Sequence, residues 1–329
     1  MARPNQHPYD RLTPDVIIAA VESLGRPADR RIFALNSYEN RVYQVGIENG
    51  APLIAKFYRP DRWSDAAIKE EHGFALELAA AEIPVVPPVV HNGQTLFECE
   101  GFRFAVFERR GGRWPELGTD NEREWMGRFL GRIHLIGRRQ RFRHRGRIDV
   151  EKLGDESRNY LLEGGFIPAH VESAYDSVTS DLLEQIRAAF ESVRGIGELR
   201  LHGDCHRGNV LWTDDGPHFV DLDDCLTGPA IQDLWMLLAG DRQEMGEQLA
   251  CMLRGYMQFS TFDHRELTLI ESLRTLRMIH YSAWLARRWG DPAFPGAFPW
   301  FKEPRYWENQ ILVLREQQAA IAEGPIELP

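Results

Sequence analysis

Short runs in which apolar and polar residues alternate fill the first hundred or so positions of the chain. RIFAL and NRVYQVGI precede the turn ENGAP, and LIAKFY then alternates as a half-buried strand does. A helix is predicted at roughly Ser64 to Ala81, and residues 83–108, IPVVPPVVHNGQTLFECEGFRFAVFE, predict two or three further strands. The pattern indicates a small β-rich lobe with one main helix.

The period changes after the glycine pair Gly111–Gly112. NEREWMGRFLGRIHLIG and SDLLEQIRAAFESV carry apolar residues at helical spacing, and most of the remaining chain is predicted to be helical. We therefore expect an α+β fold of two lobes: an antiparallel β-rich lobe at 1–108, a connector at 109–113 and a larger, mostly α-helical lobe at 114–329.

Composition narrows the class of protein. With 43% hydrophobic and 27% charged residues among 329, the chain is typical of a soluble globular protein. No apolar run approaches the roughly 20 residues that cross a bilayer, and the start, MARPNQHPYDRL, lacks the apolar core of a signal peptide. Four cysteines do not indicate a disulfide framework, so we expect a cytoplasmic protein. The net charge of −10 disfavours general binding to nucleic acid.

Two segments depart from the average composition. RRQRFRHRGR, residues 138–147, holds six arginines and is interpreted either as a solvated loop or as a docking surface for phosphate or an acidic partner. The segment Trp284–Trp307 is rich in aromatic residues, which could be core or part of a wall around a ligand. The sequence leaves both alternatives open.

The segment HGDCHRGNVLW, His202–Trp212, gathers chemically active side chains just before a strand-like run. His202, Cys205 and His206, joined by Cys225, could hold zinc, but no second ligand pair at zinc-knuckle spacing accompanies them. A purely structural turn is the other simple interpretation.

The residues that follow this segment predict a hairpin. VLWT and PHFV can pair about a three-residue loop, Asp214–Gly216, with Val210 opposite Val220. This register places Asn209 beside Asp221 at the open end of the hairpin, and the loop before it enters at the same end. Carboxylate and carboxamide oxygens are ligands that suit Mg²⁺, which takes few protein ligands and binds substrate phosphates as well.

Asp204 lies on that entering loop, five residues before Asn209. The order His-x-Asp, then Asn, then Asp after a short strand pair resembles the catalytic core of the protein-kinase-like superfamily. The resemblance implies that Asp204 is the catalytic base, and that Asn209 and Asp221 hold the Mg²⁺ that bridges the phosphates of ATP. His202 and Asp233 are implied to support the catalytic loop; complementarity between Asp233 and a helix dipole is the alternative.

The predicted first lobe offers the lysine and glutamate that a kinase site needs. Lys56 lies in LIAKFY, and the following helix offers Glu70 and Glu71. Steps of three, four and seven residues from Glu71 reach apolar side chains, whereas the seventh step from Glu70 reaches another glutamate. We expect Glu71 to face the interior and pair with Lys56, since an unpaired buried carboxylate is costly; a surface lysine on an edge strand is the alternative.

Other contacts to ATP are less regular in the sequence. LNSYENRVYQV stands where protein kinases have a glycine-rich loop, and Ser37 in its turn could contact phosphate, or the turn could be an ordinary polar one. Adenine is expected against Phe107, Glu108 and Arg109, where the last strand of the first lobe passes into the connector. Asp223 is a possible ligand for a second Mg²⁺.

Only eleven residues separate Asp221 from Asp233, which leaves no room for the long activation loop of eukaryotic protein kinases. This feature resembles the aminoglycoside phosphotransferase and choline kinase branch, in which His134 is expected to be a packed helix residue. The combination NSYENRVYQV, AKFYRP, LHGDCHRGN, FVDLDD, GPAIQDLWMLL and AWLARRWGDPAFPGAFPW, from about Asn36 to Trp300, resembles the bacterial stress response kinase A family. That resemblance implies a cytoplasmic serine/threonine protein kinase that uses ATP and Mg²⁺, phosphorylates itself and acts in stress responses.

The sequence leaves two classes of phosphate acceptor possible. The family resemblance favours a protein with a serine or threonine hydroxyl; a small alcohol is the alternative, since Asp223, Asp224 and the overall acidity would suit a cationic acceptor. A nucleotide-binding scaffold without catalysis is the interpretation from another class, and the presence of Lys56, Asp204 and Asp221 argues against it. We expect a monomer that binds neither nucleic acid nor membrane.

Overall fold

The computed structural model describes residue 7 and residues 9–329. Most of the segment MARPNQHPYDRL, in which we expect no signal peptide, therefore lies outside the described residues. The chain forms two compact units, each built from three chain segments. Unit 1 comprises the described residues up to 117, then 139–146 and 206–225. Unit 2 comprises residues 118–138, 147–205 and 226–329. The α+β class that the sequence predicts is confirmed.

Unit 1 contains the antiparallel sheet that the alternating runs predict. Its strands are β1 (Ala28–Ala34), β2 (Arg41–Ile47), β3 (Leu53–Phe57), β4 (Phe97–Cys99) and β5 (Phe102–Glu108). They lie in the order β1-β2-β3-β5-β4, which makes β3 the central strand. Within residues 83–108 only β4 and β5 form, because Pro84, Pro87 and Pro88 lack the N–H that a strand ladder needs.

Two helices accompany this sheet, α1 (Pro14–Glu22) and α2 (Asp65–Ala80). The second begins where Ser64 accepts a hydrogen bond from the amide of Ala67, a standard N-cap. Its buried face includes Glu71, Phe74 and Leu78, at the spacing that the sequence predicts. Side chains from α1 and the strands form one apolar core, which includes Val21, Val45, Phe57, Phe104 and Val106.

A hairpin of β7 (Val210–Thr213) and β8 (Gly216–Phe219) also belongs to unit 1. The predicted register is wrong by one position, because Val210 pairs with Phe219 rather than with Val220 and the loop has two residues rather than three. The hydroxyl of Thr213 donates to the carbonyl oxygen of Gly216 at 3.1 Å, which closes the tighter loop. Gly216 adopts a φ of 110°, a conformation that glycine allows without strain.

Unit 2 is mostly helical, as predicted. Its helices are α3 (Asp120–Gly137), α4 (Glu156–Glu163), α5 (Ala169–Ser192), α6 (Ile231–Trp235), α7 (Arg242–Tyr256), α8 (Ile270–Arg288), α9 (Ala293–Ala297) and α10 (Pro304–Ala322). A short antiparallel ladder pairs β6 (Leu199–Leu201) with β9 (Leu226–Gly228). Tyr175, Leu276 and Trp307 lie in the core that α5, α8 and α10 share. Among the residues described, none of the helices combines the length and apolarity that a membrane span requires.

Candidate active site

Lys56 lies at the centre of a buried group of charged residues in unit 1. Its backbone is paired on both sides, with β2 and with β5, which fixes the direction of its side chain. The ammonium Nζ lies 3.5 Å from Oε1 of Glu71, 3.0 Å from Oδ1 of Asp221 and 3.0 Å from Oδ1 of Asp223. The structure therefore brings Lys56 and Glu71 together, and two further carboxylates share the same cation.

Two arginines distant in sequence complete this group. Arg62, between β3 and α2, pairs with the carboxylates of Asp223 and Asp224. The guanidinium of Arg145 lies 3.9 Å from Oε2 of Glu71 and donates to the backbone carbonyl oxygen of Asp223. We call the residues Lys56, Arg62, Glu71, Arg145, Asp221 and Asp223 the Lys56 cluster.

Burial and mutual charge set the protonation of the Lys56 cluster. Burial alone would lower the pKa of Lys56, but the charges of Asp221, Asp223 and Glu71 raise that pKa well above its usual value. Burial would likewise raise the pKa of Asp223, but Arg62 and Lys56 hold it well below its usual range. For Glu71 burial prevails over the charge of Lys56 and raises the pKa to about 7. The longer 3.5 Å contact of Glu71 with the shared ammonium explains this difference.

The arginine-rich run contributes to the Lys56 cluster through one residue. The carboxylate of Glu70 accepts the backbone amides of residues 143–145 at 2.7, 2.7 and 3.0 Å. The ring of Phe142 packs edge-on against Phe74 of α2, with centroids 5.6 Å apart. These contacts attach residues 139–146 to α2 and direct Arg145 into the interior. The interpretation of a solvated loop is therefore wrong for Arg145, which is buried.

Asn209 and Asp221 lie at the open end of the hairpin. The amide of Val220 donates to the carbonyl oxygen of Asn209 at 3.0 Å, so Asp221 follows directly after the last paired position. Asp221 has a left-handed φ of 59°, and its carboxylate is half exposed. A half-exposed carboxylate at the hairpin end that also carries Asn209 offers oxygen donors of the kind that fit Mg²⁺. Asp223 is instead buried against the cations of the cluster, and its second-metal role stays a prediction.

The zinc hypothesis gains no support. Over residues 7 and 9–329, no group of three or more His, Cys, Asp and Glu side chains is arranged to hold a metal ion. Cys205 and Cys225, which that hypothesis uses, are fully buried, and burial raises the pKa of each thiol. A thiol must lose its proton to bind zinc, so both cysteines are poor ligands.

Asp204 lies in unit 2, on the loop that follows β6. Its Oδ1 is 2.5 Å from Nη1 of Arg277 on α8, and the two side chains are 20% and 44% exposed. The carboxylate is therefore partly accessible, and Arg277 fixes one of its oxygens. Such a group can accept a hydrogen bond from the hydroxyl of an incoming acceptor. Sequence reasoning missed Arg277, because an ion pair between residues 73 positions apart leaves no local pattern.

Asp233 fixes the backbone of that same loop. Its Oδ2 accepts the amide of His202 and its Oδ1 accepts the amide of Gly203, each at 2.8 Å. Oδ2 also lies 3.0 Å from Nε2 of His134, whose Nδ1 lies 3.0 Å from the hydroxyl of Tyr256. We call these five residues the Asp233 network. Asp233 accepts hydrogen bonds from two backbone amides of the loop. Complementarity to a helix dipole alone would not require these bonds.

The remaining predicted ATP contacts lie in unit 1. Ser37 is half-buried on the loop between β1 and β2, and Arg59 holds this loop by donating to two of its carbonyl oxygens. Phe107 and Glu108 end β5, and Arg109 follows. Phe107 is partly buried, whereas Glu108 and Arg109 are exposed. Their contact with adenine stays a prediction, as does that of Ser37 with phosphate.

Most of the aromatic segment is core of unit 2. Phe294, Phe301 and Trp307 are fully buried. Trp284 packs on Phe294 with ring centroids 4.9 Å apart, and it is only partly buried. Trp300 is 36% exposed. The interpretation of this segment as core therefore holds for most of these residues. The side chains of Trp284 and Trp300 are partly exposed to solvent.

Comparison with known proteins identifies the family. The phosphotransferase enzyme family matches residues 32–270. Stress response kinase A of Escherichia coli strain K12 is 46% identical over 320 residues, which are 97% of each chain. The serine/threonine protein kinase RdoA of Salmonella typhimurium is 44% identical over 324 residues, which are 98% of each chain. The chain belongs to the stress response kinase A family.

Membership of the stress response kinase A family confirms the resemblance on which the sequence analysis relied and makes the protein a kinase-type phosphotransferase. Among solved structures, an amicoumacin kinase in complex with AMP-PNP, Ca²⁺ and Ami has a TM-score of 0.66 at 22% identity, covering 84% of this chain and 87% of that chain. At this identity the likeness concerns the fold alone. The predicted two-lobed, kinase-like fold is confirmed.

Proposed function

We propose that the protein is an ATP-dependent serine/threonine protein kinase that acts in stress responses and phosphorylates itself as well as other proteins. The observation that carries the proposal is the 46% identity, over 97% of both chains, to a stress response kinase. A second relative, at 44% identity, is named a serine/threonine protein kinase. Identity at this level over the full length makes a shared reaction the simplest expectation.

In this proposal the Lys56 cluster binds the triphosphate. Lys56 would contact phosphate oxygens and Glu71 would orient it, while Asn209 and Asp221 would hold Mg²⁺. The metal would supply positive charge that stabilises the negative charge developing during transfer. The exposure of Asp221 supports this assignment, because a half-exposed carboxylate can bind a metal from solvent, whereas Glu71 and Asp223 are buried against cations. Adenine lies against the backbone of residues 107–109.

Asp204 is the base of the proposed reaction. Its carboxylate orients the hydroxyl of the acceptor and takes its proton as the bond between the hydroxyl oxygen and the γ-phosphorus forms. The bond from the γ-phosphorus to the bridging oxygen breaks, and ADP leaves with that electron pair. The hydrogen bonds of Asp233 to the amides of His202 and Gly203 support the role, since they hold the loop that carries the base.

The test is transfer from labelled ATP to the protein itself and to generic protein substrates. We expect Asp204→Asn to lower transfer at least about 10³-fold, because the amide cannot take the proton, while ATP affinity changes less than about threefold. Asp214→Asn, the same change in the exposed hairpin loop, serves as the matched control and should transfer at the normal rate. Near-normal transfer by Asp204→Asn would show that another residue is the base.

A small-molecule alcohol kinase is the second candidate function. It is supported by the eleven-residue interval between Asp221 and Asp233, too short for an activation loop, and by the structural neighbour named as an amicoumacin kinase. A panel of amino alcohols and sugars, assayed with the same labelled ATP, separates the two. Turnover of a small alcohol without any labelled protein would replace the protein kinase proposal.

A further inference from the structure

Helix α8 differs in charge from the chain as a whole. It carries four arginines and one glutamate, although the chain has a net charge of −10. One of these arginines, Arg277, contacts Asp204, the proposed base, at 2.5 Å. Any acceptor whose hydroxyl reaches Asp204 therefore also meets a guanidinium group.

The face of α8 that contains Arg277 continues at helical spacing, with Tyr281 exposed and Trp284 and Arg288 partly buried. Tyr281, Trp284 and Arg288 lie four, seven and eleven residues further along, all within about 40° of Arg277 around the helix axis. Arg277 and Tyr281 are 44% and 40% exposed. Tyr281 stacks on Trp284 with ring centroids 5.6 Å apart. In order from Asp204, this face presents an arginine, two stacked rings and a second arginine.

The carboxylates suggested above for a cationic acceptor are neutralised within unit 1. Asp223 is buried and pairs with both Lys56 and Arg62. Asp224 pairs with the same arginine at 2.5 Å. An ammonium group on the acceptor would therefore find these carboxylates already paired, and it would be repelled by Arg277 beside the base.

We propose that the face of α8 from Arg277 to Arg288 binds acceptor peptides in which acidic residues flank the phosphorylated serine or threonine. This inference rests on the proposed protein kinase function and names the class of its substrate. A guanidinium has five N–H donors, so the contact of Arg277 with Asp204 leaves donors for a carboxylate beside the acceptor residue. Arg277 is in this sense a specificity-determining residue.

The length of the face sets the spacing of a second acidic residue. Arg277 and Arg288 are eleven residues apart, about 16 Å along the helix at roughly 1.5 Å per residue. An extended peptide covers that distance in about five residues. A carboxylate five positions from the acceptor hydroxyl therefore meets Arg288, and an apolar or aromatic residue between the two acidic positions packs on Tyr281 and Trp284.

Peptide kinetics with the full-length protein test the proposal. The peptides contain one serine, with either Glu or Lys beside it and five positions away, on either side. We expect kcat/KM to be at least about 10²-fold higher for the Glu peptides, Arg277→Gln to reduce this ratio and Arg277→Glu to reduce it at least tenfold. Arg288→Glu should reduce it only for peptides with the distant Glu. Arg315→Glu, the same charge reversal at an exposed position of α10, is the matched control and should leave the ratio unchanged.

The ratio separates specificity from general damage to the site. An equal loss of kcat on all peptides in Arg277→Glu, with the Glu-to-Lys ratio preserved, would mean that Arg277 acts on the base or the phosphate, and the inference would be wrong. Equal use of Glu and Lys peptides by the unaltered protein would overturn the inference and leave the proposed function intact. Phosphorylation of an amino alcohol but of no peptide or protein would overturn both.

Discussion

The Lys56 cluster and the Asp233 network both contain buried carboxylates, but the two regions satisfy them in different ways. In the Lys56 cluster, one ammonium lies within 3.5 Å of three carboxylates, and the partners are charged side chains. In the Asp233 network, each oxygen of one carboxylate accepts a backbone amide at 2.8 Å. One region depends on charge, and the other on hydrogen bonds to fixed backbone donors.

Under the proposed function, this difference separates residues that act in phosphate transfer from residues that stabilise the fold. Under the proposed function, the ammonium of Lys56 and the exposed carboxylate of Asp221 can change partners when a metal and a phosphate bind, because the contact between them joins two side chains. Backbone amides that lose their acceptor stay buried and unsatisfied, at a cost of about 1–3 kcal/mol each. Substitutions in the Lys56 cluster should therefore affect transfer first, and substitutions in the Asp233 network should affect stability first.

The largest effect is expected for Asp221→Asn. The variant removes the exposed carboxylate that we assign to Mg²⁺, so transfer should fall roughly 10³-fold. The free energy of unfolding should fall by no more than about 1 kcal/mol, since the ion pair with Lys56 is lost but the carboxylate of Asp221 is half exposed. Transfer from labelled ATP and urea unfolding measure the two quantities.

Asp224→Asn is the matched control for that comparison, because Asp224 is also about half exposed and lies three residues away. We expect it to change transfer less than tenfold. Asp221→Asn could instead lose much stability, with transfer reduced only because less of the protein is folded. That result would contradict the proposed role of the Lys56 cluster in phosphate transfer.

Asp233→Asn comes next in magnitude and should act on stability. Both carboxylate oxygens accept amides, and a carboxamide offers only one acceptor oxygen, so one buried amide then faces an NH₂ group. We expect the free energy of unfolding in urea to fall by about 3 kcal/mol. Asp241→Asn is the control, because asparagine caps a helix as well as aspartate and the change at the start of α7 should be negligible. If Asp233→Asn and Asp241→Asn have the same free energy of unfolding in urea, the proposed difference between the Lys56 cluster and the Asp233 network is wrong.

Glu266 allows a finer test, by pH. Its carboxylate accepts the amide of Ile231, where α6 begins, and burial raises its pKa from 4.5 to about 7. The folded state therefore binds this proton more tightly than the unfolded state. The stability that it contributes is complete below pH 4.5 and is lost as pH rises through about 7, a decline of about 3 kcal/mol.

Glu266→Gln should flatten this dependence, because the carboxamide stays neutral throughout, and the variant should be the more stable protein at pH 8. Urea unfolding at pH 5, 6.5 and 8 measures the slope. Glu247→Gln, at an exposed position of α7, is the control and should keep the slope of the unaltered protein. If the free energy of unfolding changes equally with pH in all three proteins, Glu266 is ionised in the folded state at pH 5.

The spacing of residues within single helices and strands predicted much of the fold and of the candidate site. The choice of Glu71 over Glu70 followed from the helical period alone, and the structure buries the first and directs the second to the backbone of residues 143–145. The hairpin register failed by one position because the hydroxyl of Thr213 closes a shorter loop, and strand alternation does not report on a side chain within the turn.

Long-range ion pairs could not be predicted. Arg62 meets Asp223 across 161 positions and Arg277 meets Asp204 across 73, and neither pair leaves a period or a motif in the sequence. The alternation of FVDLDD could not show which aspartate faces the interior, because a short 3₁₀ turn at Leu222–Asp224 interrupts the extended chain after Asp221. The sequence therefore could not predict that Asp223 pairs with both Lys56 and Arg62.

Because unit 1 is assembled from three chain segments that end at residues 117, 146 and 225, its folding cannot be completed early in synthesis. Lys56 and Glu71 leave the ribosome more than seventy residues before Arg145 and about a hundred and fifty before Asp223, and the strands β1 to β5 are complete at residue 108. Helix α3, which belongs to the other unit, is translated in between. A nascent chain that stops at residue 117 thus holds a buried lysine and glutamate without most of their partners, and the early sheet matures only once the later segments arrive.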